Sequence, residues 1–486
     1  MQYGTIMFDR QAALMILRDR VDPTIADVIA DLIENGRDAE LNRANPIGLA
    51  RKRNLDETLA IDGFVHATRL GLFELSWNVV CPGCGGVLLA AEHLSHLERE
   101  RYTCALCAAD CRPGLDESVE VTFTVNPAVR AIAAHRPESM SSWDYARQLY
   151  WGSESTLPED IESISRDALI GVFDLPPGRF EAVDLDLAPG LVIVFDPVTH
   201  TSSFIEISGA SASERQDAAC VIPGTAGWTA TANLRPGPAR LIIENQTGGR
   251  ALPTIWRAGD ALVALVSGRQ PTLDAKRLLS NQTFRDIHGA TLFDPHQRFQ
   301  IKSLTFVFSD ITGSSALYER VGDLAAFDLV RAHFRALEAI IARYGGAVVK
   351  TIGDAVMASF ADPLDAVKAA LAMRGGIHAK DTTSGDHDIV LKIGVHAGPC
   401  LAVILNNHQD YFGQTVNAAA RIQSLARPDA IVLSQTVAST PGLPALLSCG
   451  NMVVERSMQS LRGMERKVEV LEIRNQQAAS GKGGPN

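Results

Sequence analysis

The sequence has no apolar segment that approaches the ~20 residues a helix needs to cross a bilayer. Its longest apolar candidates, such as Leu191–Phe195, have the length of short strands. The opening residues, MQYGTIMFDRQAAL, carry neither a basic head nor a long apolar stretch, so we expect no signal peptide, no membrane partner and a cytoplasmic location. The sequence also lacks internal repeats, and only the polar, glycine-rich stretch 475–486 has the composition of a disordered tail.

Positive charge is in short supply. The 486 residues contain 45 Lys and Arg against 56 Asp and Glu, which gives a formal net charge of −11. A weakly acidic chain gains no general attraction to nucleic acid or anionic membranes, so we expect neither as a partner. With 46% apolar and 21% charged residues the composition is that of a folded protein. At about 150 residues per domain, the length predicts roughly three or four domains.

Cysteine is sparse for so long a chain, and the eight residues present exclude a disulfide framework. Five of them lie between Cys81 and Cys111. CPGC (81–84) and CALC (104–107) form two C-x2-C pairs, and each pair can aim two thiolates at one tetrahedral Zn²⁺. Four protein ligands would close the coordination shell, which predicts a structural rather than a catalytic ion. The predicted ligands are Cys81, Cys84, Cys104 and Cys107.

The cysteines also allow simpler interpretations. The two pairs could be chance neighbours among buried free cysteines, and Cys111 is a fifth candidate that we treat as a spare. Cys220, Cys400 and Cys449 are isolated, and the simplest interpretation is that each is a small buried residue.

Residues 24–75 have a helical pattern. Apolar residues recur at helical spacing after residue 24, and the segments 46–55 and 56–72 predict two further short helices before the strand FELSWNVV (73–80). Three helices and a strand pair outline a winged helix-turn-helix. Residues 24–80 nevertheless hold six Lys/Arg and nine Asp/Glu, a net charge of −3, whereas a DNA reader is basic on its recognition helix. We therefore favour a packing or protein-interaction module over DNA binding.

The pattern from about 183 to 267 is that of β-structure. LVIVFDPVTHTSSFIEI, ARLIIENQTG and ALVALVSG are apolar segments separated by Pro and Gly turns, which predicts a sandwich or barrel. It has no catalytic cluster, because His200 and Cys220 stand alone. TLDAKRLLSNQTFRDIHG (272–289) then predicts a connecting helix.

The last third of the chain contains the candidate catalytic and phosphate-binding residues. LTFVFSD (304–310) predicts a buried strand that ends at Asp310, before the loop ITGSS (311–315) and a helix near Ala316. A carboxylate beside a small-residue loop at a helix N-terminus suits a metal-bound polyphosphate, because the acid can hold Mg²⁺ while loop amides face the phosphates. The alternative is an aspartate that merely caps the next helix.

Further polar residues follow in two segments. AVVKTIGDAVMASF (347–360) predicts a hairpin with Asp354 at its tip, and two carboxylates from adjacent strands can hold two divalent ions about 4 Å apart. In DYFGQTVNAAARIQSLA (410–426), Asn417 and Arg421 share one helix face and could clamp a sugar and a transferring phosphoryl group. Taken alone, Asp354 could be a simple turn residue, and the helix positions could be surface polarity.

Together the three segments FVFSDITGSSALYERVGD (306–323), VKTIGDAVMASF (349–360) and 410–426 resemble the signature regions of a class III nucleotidyl (adenylate/guanylate) cyclase catalytic domain, in order and over about residues 300–474. The upstream 300 residues resemble, more loosely, the uncharacterised region that precedes such domains in some bacterial cyclases. The resemblance implies a ferredoxin-like βαββαβ core and a head-to-tail homodimer with sites in the clefts between the subunits. It also implies two Mg²⁺ (or Mn²⁺) per active site.

The resemblance gives each matching residue a role. Asp310 and Asp354 would be the metal ligands. Lys350 and Asp410 would read the purine from the partner subunit. Asn417 would orient the ribose, and Arg421 would stabilise charge on the α-phosphoryl oxygens. The remaining candidates would contact the β- and γ-phosphates: the backbone of Ile311, Thr312, Gly313, Ser314 and Ser315, and one of Arg462, Arg466 and Lys467, of which Arg462 is preferred.

The purine pair predicts the base. Adenine offers an N6 amino donor and an N1 acceptor, which Asp410 and Lys350 can satisfy, whereas guanine has the opposite pattern and would be left unpaired. We therefore expect an adenylate cyclase that converts ATP to 3′,5′-cyclic AMP and pyrophosphate and is regulated by its N-terminal region. The alternatives are a non-enzymatic cyclase-like module for dimerisation or nucleotide sensing, and a zinc-dependent transcription regulator.

The predicted architecture is a multidomain α+β protein. Its segments are 1–78, helical and winged-helix-like; 79–125, zinc ribbon; 126–182, mixed connecting region; 183–267, β-rich domain; 268–299, connecting helix and linker; 300–474, cyclase catalytic domain; and 475–486, disordered tail.

Overall fold

A computed structural model describes residues 8–97, 99–157, 168–224, 229–288, 297–376, 389–405, 408–448, 452–462 and 467–475. Contacts divide the chain into two units, Met1–Ala275 and Lys276–Asn486. Within these ranges no helix is both long enough and apolar enough to cross a membrane. Most of the predicted tail, 476–486, lies outside the described residues.

Helices open the first unit, close to where the periodicity predicts them. The side chains of Asp22, Asn45 and Asp56 each accept a hydrogen bond from a backbone N–H of the first turn, which fixes three of the helix starts. The apolar faces of the second and fifth helices pack closely, since a Cβ at Gly63 would overlap Ile25. The helices are α1 (Arg10–Arg20), α2 (Pro23–Asn35), α3 (Asp38–Leu41), α4 (Pro46–Arg53) and α5 (Glu57–Arg69).

The basic end of α4 is neutralised within this unit. Arg51, Lys52 and Arg53 each place a nitrogen within 3.1 Å of a carboxylate oxygen, those of Glu57, Glu40 and Asp31 respectively. The three cations therefore add little uncompensated positive charge to the surface. The helices and the strand predicted over 24–80 are present, and the winged-helix comparison stays a prediction.

A three-stranded antiparallel sheet follows the helices. Its central strand β1 (Phe73–Val80) pairs with β2 (Val87–Ala91) and β5 (Val119–Val125), and the intervening β3 (Tyr102–Thr103) and β4 (Asp110–Cys111) pair with each other. Phe64 of α5 packs against Phe73 and Phe123, with ring centroids 5.1 Å apart in both cases. The helix α6 (Ser142–Tyr145) and a π-helical turn, Ala146–Tyr150, lead out of this sheet.

The β-rich region forms two sheets that enclose one apolar core, as a sandwich does. One has the order β10–β12–β7 and the other β11–β9–β8–β13–β6. Cys220 lies in this core, where burial raises the pKa of its thiol to about 11. The strands are β6 (Leu169–Val172), β7 (Phe180–Leu187), β8 (Gly190–Asp196), β9 (Thr201–Ile207), β10 (Gln216–Ile222), β11 (Thr229–Leu234), β12 (Gly237–Asn245) and β13 (Thr254–Arg257).

Two expectations in this part of the chain are wrong. ALVALVSG is not a strand but the helix α7 (Asp260–Ser267), in which Leu262 and Leu265 are buried one turn apart while Val263 is exposed. A short apolar run is compatible with either structure, and the helical spacing of its buried residues decides. The connecting helix of 272–289 is two helices, α8 (Ala275–Leu279) and α9 (Gln282–His288), because Asn281 interrupts it and caps the second.

The second unit contains one mixed sheet in the order β15–β16–β14–β17–β19–β21–β20, with β18 paired to β17. Its first four strands and the intervening helices run βαββαβ, the cyclase catalytic fold that was expected. The elements are β14 (Phe299–Ile311), α10 (Ser314–Val321), α11 (Asp323–Arg343), β15 (Gly346–Ile352), β16 (Ala355–Phe360), α12 (Pro363–Gly376), β17 (Leu391–Leu405), β18 (His408–Phe412), α13 (Gln414–Ser424), β19 (Ala430–Ser434), α14 (Gln435–Ala438), α15 (Leu443–Ser448), β20 (Met452–Gln459) and β21 (Val468–Asn475).

Helices α11 and α12 cover one face of this sheet and share its principal core. Helix α11 buries large apolar side chains only from Val330 onward, because Leu324 and Phe327 are exposed by 79% and 56% whereas Val330, Leu337 and Ile341 are buried. Helix α13 approaches the sheet so closely that a Cβ at Gly394 would overlap the backbone of Gln423. This contact fixes where α13 presents its polar residues.

Candidate functional site

Asp310 and Asp354 come together through the sheet. Asp310 lies near the end of the central strand β14, and Asp354 lies in the tight turn between β15 and β16, after Gly353 with its φ of +63°. Strands β14 and β16 are neighbours whose pairing ends at Ser309 and Val356, so the turn is adjacent to Asp310. The sheet thus places the two predicted metal ligands at one edge.

The two carboxylates repel each other. Partial burial, and then the charge of Asp354, raise the pKa of Asp310, while Lys392 and a hydrogen bond from Gln423 oppose that rise. A carboxyl group whose pKa is raised beside a second carboxylate is typical of a site where a divalent cation would relieve the repulsion. Asp310 and Asp354 could hold such ions, because carboxylate oxygen is the ligand that Mg²⁺ prefers.

The loop after Asp310 only partly matches its predicted role. Gly313 has a φ of +71° and precedes the first turn of α10, so amides at this helix start are free of intrahelical partners. The Thr312 amide is already used, because it donates to the Val390 carbonyl at 2.8 Å. Ile311 belongs to β14, paired with Leu391, and the side chain of Ser315 lies outside the described residues.

Lys350 and Asp410 also meet, although 60 residues separate them. Lys350 Nζ donates to Asp410 Oδ2 at 2.6 Å, and the Asp410 side chain is 12% exposed while that of Lys350 is 41% exposed. The other carboxylate oxygen of Asp410 accepts from the Tyr411 amide at 2.8 Å. The pair therefore presents one ammonium and one carboxylate side by side.

Asn417 and Arg421 lie one turn apart on α13, Asn417 exposed and Arg421 half-buried. Among the residues that the structure describes, neither side chain makes a hydrogen bond or an ion pair within the chain, so both can meet a ligand or a partner. Arg462 is exposed after β20, Lys467 is exposed before β21, and Arg466 lies outside the described residues.

The four predicted zinc ligands form a single cluster in the first unit. The sulfur atoms of Cys81, Cys84, Cys104 and Cys107 all lie within 4.8 Å of one another. Two of the separations, Cys81 to Cys107 and Cys84 to Cys104, are 3.4 and 3.5 Å. Four sulfurs at about 2.3 Å from a tetrahedral Zn²⁺ would be about 3.8 Å apart, so the cluster fits that ion. Cys111 is not part of it, since its sulfur faces the Val80 carbonyl.

The two cysteine turns have the same backbone geometry. The first cysteine of each pair accepts a hydrogen bond at 2.9 Å from the amide four residues on, that of Gly85 or Ala108, and donates to the carbonyl five residues on. Gly85 and Ala108 occupy the equivalent left-handed position, with φ of +74° and +55°. This repetition aims both pairs of thiols inward and argues against two chance pairs.

An aromatic hydroxyl completes the surroundings of the thiols. Tyr150 Oη lies 3.7 Å from Cys84 Sγ and 3.8 Å from Cys104 Sγ, and the Tyr150 side chain is fully buried. A hydrogen bond from Cys104 lowers the pKa of the Cys107 thiol to about 7.

Sequence reasoning missed Tyr150 because it lies in an irregular segment with no periodic signal, and it likewise missed Gln423 and Lys392 beside Asp310.

Comparison with known proteins gives two matches, and the boundary between them lies about ten to twenty residues after the boundary between the two structural units. Residues 7–286 match the model of a family described as Family of unknown function (DUF5939), and residues 296–472 match the Adenylate and Guanylate cyclase catalytic domain. The chain belongs to the DUF5939 family. Its C-terminal region is a class III nucleotidyl cyclase catalytic domain, as the three sequence motifs predicted.

Relatives of this DUF5939 protein include enzymes named for either base. It is 30% identical over 156 residues to adenylate cyclase 2 of Rhizobium meliloti, covering 29% of this chain and 42% of that one. It is 27% identical over 188 residues to the guanylate cyclase soluble subunit beta-2 of Homo sapiens, covering 36% and 29%. The chain thus spans less than half the length of these curated relatives.

Solved structures also match part of this chain. The adenylyl cyclase CyaB from P. aeruginosa is 23% identical, with a TM-score of 0.32 and coverage of 38% of this chain and all of that one.

The repulsion between the two carboxylates generates a prediction. The pKa of Asp310 is raised in the folded protein, so at a pH above that pKa the ionised carboxylate destabilises the metal-free fold. Lowering the pH protonates Asp310 and removes this destabilisation. Asp310→Asn should therefore raise the melting temperature at neutral pH in metal-free buffer. The gain should shrink as the pH falls towards about 4.

Thermal unfolding of wild type, Asp310→Asn, Asp354→Asn and the double variant checks this prediction. Either single change removes the repulsion, so the double variant should gain less than the sum of the two. Strictly additive gains that do not vary with pH would contradict the coupling.

Proposed function

We propose that this protein is an adenylate cyclase that converts ATP to 3′,5′-cyclic AMP and pyrophosphate. The observation that carries the proposal is the 2.6 Å pair of Lys350 and Asp410. Asp410 can accept from the adenine N6 amino group while Lys350 donates to N1, and guanine offers the reverse pattern. The named relatives include cyclases for both bases, so the choice of ATP rests on this pair.

The reaction is an in-line attack of the ribose 3′-oxygen on the α-phosphorus. Two divalent cations at Asp310 and Asp354 would lower the pKa of the 3′-hydroxyl and neutralise the leaving pyrophosphate. Asn417 would orient the ribose, Arg421 would offset charge on the α-phosphoryl oxygens, and the start of α10 would face the outer phosphates, with Arg462 nearby. No residue has to form a covalent intermediate.

The arrangement favours a homodimer as the active species. Ile352 and Phe412 each follow a purine-reading residue by two positions, so they share its side of the strand, and they are exposed by 52% and 65%. Exposed apolar side chains beside a polar site are typical of a surface that a partner covers. We therefore propose head-to-tail pairing, in which one subunit supplies the metal ligands and its partner the residues for the purine, ribose and α-phosphoryl group.

The cysteine cluster supports a second, structural proposal. We propose that Cys81, Cys84, Cys104 and Cys107 bind one Zn²⁺, with Tyr150 donating a hydrogen bond to the thiolates. Four clustered thiolates, three of them buried, cannot all ionise without a cation, and a closed four-sulfur shell leaves no open position for catalysis. The ion would stabilise the fold of the first unit.

Cyclic nucleotide production tests the proposed enzyme. Purified full-length protein with ATP and Mg²⁺ or Mn²⁺ should yield cAMP, with little cGMP from GTP, and Asp310→Ala should abolish both. Lys350→Glu should lower kcat/KM for ATP by at least about 100-fold, because a second carboxylate leaves N1 unpaired. Lys368→Glu reverses the same charge on the remote helix α12 and should leave the rates unchanged. Unaltered ATP kinetics in Lys350→Glu would refute the assigned base contact.

Complementation tests the shared site. Inactive Asp310→Ala and Arg421→Ala chains, mixed under conditions that exchange subunits, should regain about a quarter of wild-type activity, since half the dimers are mixed and each has one intact site. Asp310→Ala mixed with Asp354→Ala is the matched control and should stay inactive, because both residues come from the same side. No recovery in the first mixture, despite proven mixed dimers, would overturn the proposal.

Metal analysis tests the zinc proposal. The purified chain should contain about one zinc, and Cys104→Ser should lose it together with several degrees of melting temperature. Cys111→Ser removes a nearby buried thiol outside the cluster and should retain the zinc. Equal zinc content in wild type and Cys104→Ser would contradict the assigned ligands.

A further inference from the structure

Strand β15 contains a β-bulge directly before Lys350. Its register with β16 passes from Val348 opposite Ala358 to Lys350 opposite Met357, so Val349 is an extra residue. A bulge re-aims the side chain that follows it and leaves backbone groups without ladder partners. Those groups need other hydrogen-bonding partners if the bulge is to be stable.

Helix α9 supplies these partners. Gln282 Oε1 accepts a hydrogen bond from the Val348 amide at 2.7 Å. Arg285 Nη2 lies 3.4 Å from the Val349 carbonyl and donates to it. The amide before the bulge and the carbonyl of the bulge residue are therefore both satisfied by α9.

The same guanidinium group reaches the second purine-reading strand. Arg285 Nη2 also donates to the Gln409 carbonyl at 3.0 Å. Val349 and Gln409 directly precede Lys350 and Asp410, whose side chains are 2.6 Å apart. One cation thus ties together the backbone just before both residues of the pair.

Helix α9 is itself held in place. Phe284 is fully buried, and its amide donates to Asn281 Oδ1 at 2.8 Å. Just before the helix, the Leu279 carbonyl accepts hydrogen bonds at 3.4 Å from Gln409 Nε2 and Tyr411 Oη. Arg285 therefore acts from a fixed support and not from a mobile surface helix.

We propose that Arg285 and Gln282 are positioning residues for purine recognition, which set the separation and direction of Lys350 and Asp410 by holding the backbone before each. This inference rests on the proposed cyclase function. Neither residue touches the reacting phosphorus in this scheme. Their loss should therefore change nucleotide affinity and base choice more than the chemical step, since small misplacements of binding groups are costly.

Steady-state kinetics of the full-length chain with ATP and with GTP test the proposal. Arg285→Ala should raise KM for ATP about tenfold with kcat within about twofold, and lower the ratio of kcat/KM for ATP over GTP about tenfold. Arg285→Lys should give values of KM and of the ATP-to-GTP ratio between those of wild type and Arg285→Ala, because one ammonium group can replace only part of the guanidinium contacts. Gln282→Met should raise KM for ATP and lower the ATP-to-GTP ratio of kcat/KM, both by less than Arg285→Ala does.

Arg374→Ala is the matched control. Arg374 is also buried in the second unit and donates to the Ile473 carbonyl at 3.3 Å and to Asn475 Oδ1 at 2.8 Å, on a strand that bears no purine-reading residue. It should lower the melting temperature while KM and base choice stay at wild-type values. If Arg374→Ala shifts KM as Arg285→Ala does, the role of Arg285 is general stability and the proposal is wrong.

Two further outcomes separate this proposal from the function on which it rests. Unchanged KM and base ratio in folded Arg285→Ala, or a loss confined to kcat, would overturn the positioning role while the cyclase stands. If wild type makes no cyclic nucleotide, the proposed function fails, and equilibrium binding of a fluorescent ATP analogue then decides this inference. Equal affinity of wild type, Arg285→Lys and Gln282→Met for that analogue would overturn it.

Discussion

The catalytic unit depends on keeping two like charges close together. Asp310 and Asp354 repel, and partial burial followed by this repulsion raises the pKa of Asp310. The sheet overcomes this repulsion by fixing the backbone of both residues: β14 is bonded to β16 on one side and β17 on the other, and β16 begins directly after Asp354. A divalent cation would convert the repulsion into binding energy, which explains why a stable fold would keep so unfavourable a pair.

The two residues proposed to read the nucleotide base are held in place in a different way. Lys350 and Asp410 lie on β15 and β18, which are not neighbours in the sheet, and their side chains meet directly after a bulge in β15. The backbone groups that this bulge frees are satisfied by α9, which precedes the catalytic domain in the chain. Helix α9 therefore holds the backbone beside Lys350, whereas strand pairing holds the backbone beside Asp310.

In the N-terminal unit, backbone hydrogen bonds likewise hold the candidate metal ligands in place. Two segments with the spacing C-x2-C fold into matching turns, and the hydrogen bonds of each turn orient its thiols before any ion binds. Gly85 reaches the left-handed conformation at no steric cost, whereas Ala108 adopts it at a cost of about 1 kcal/mol. Tyr150 closes the cluster from an element 43 residues after Cys107, which ties the cysteine turns to the apolar core of Tyr150, Trp151 and Phe195.

The sequence by itself identified the candidate residues, because these lie in local patterns: a strand ending in Asp310, a Gly-Asp turn, and Asn417 one helical turn before Arg421. The resemblance of these segments to cyclase signature regions implied the catalytic fold. The sequence also determined the two cysteine pairs. Only the tertiary structure decided which residues meet, since the 2.6 Å contact of Lys350 with Asp410 joins positions 60 residues apart. It also decided that ALVALVSG is a helix, that Leu324 and Phe327 are exposed, and that Arg285 donates to the Gln409 carbonyl. Short apolar runs fit either period, and a hydrogen bond to a backbone carbonyl leaves no trace in residue type, so neither could be derived from the sequence pattern.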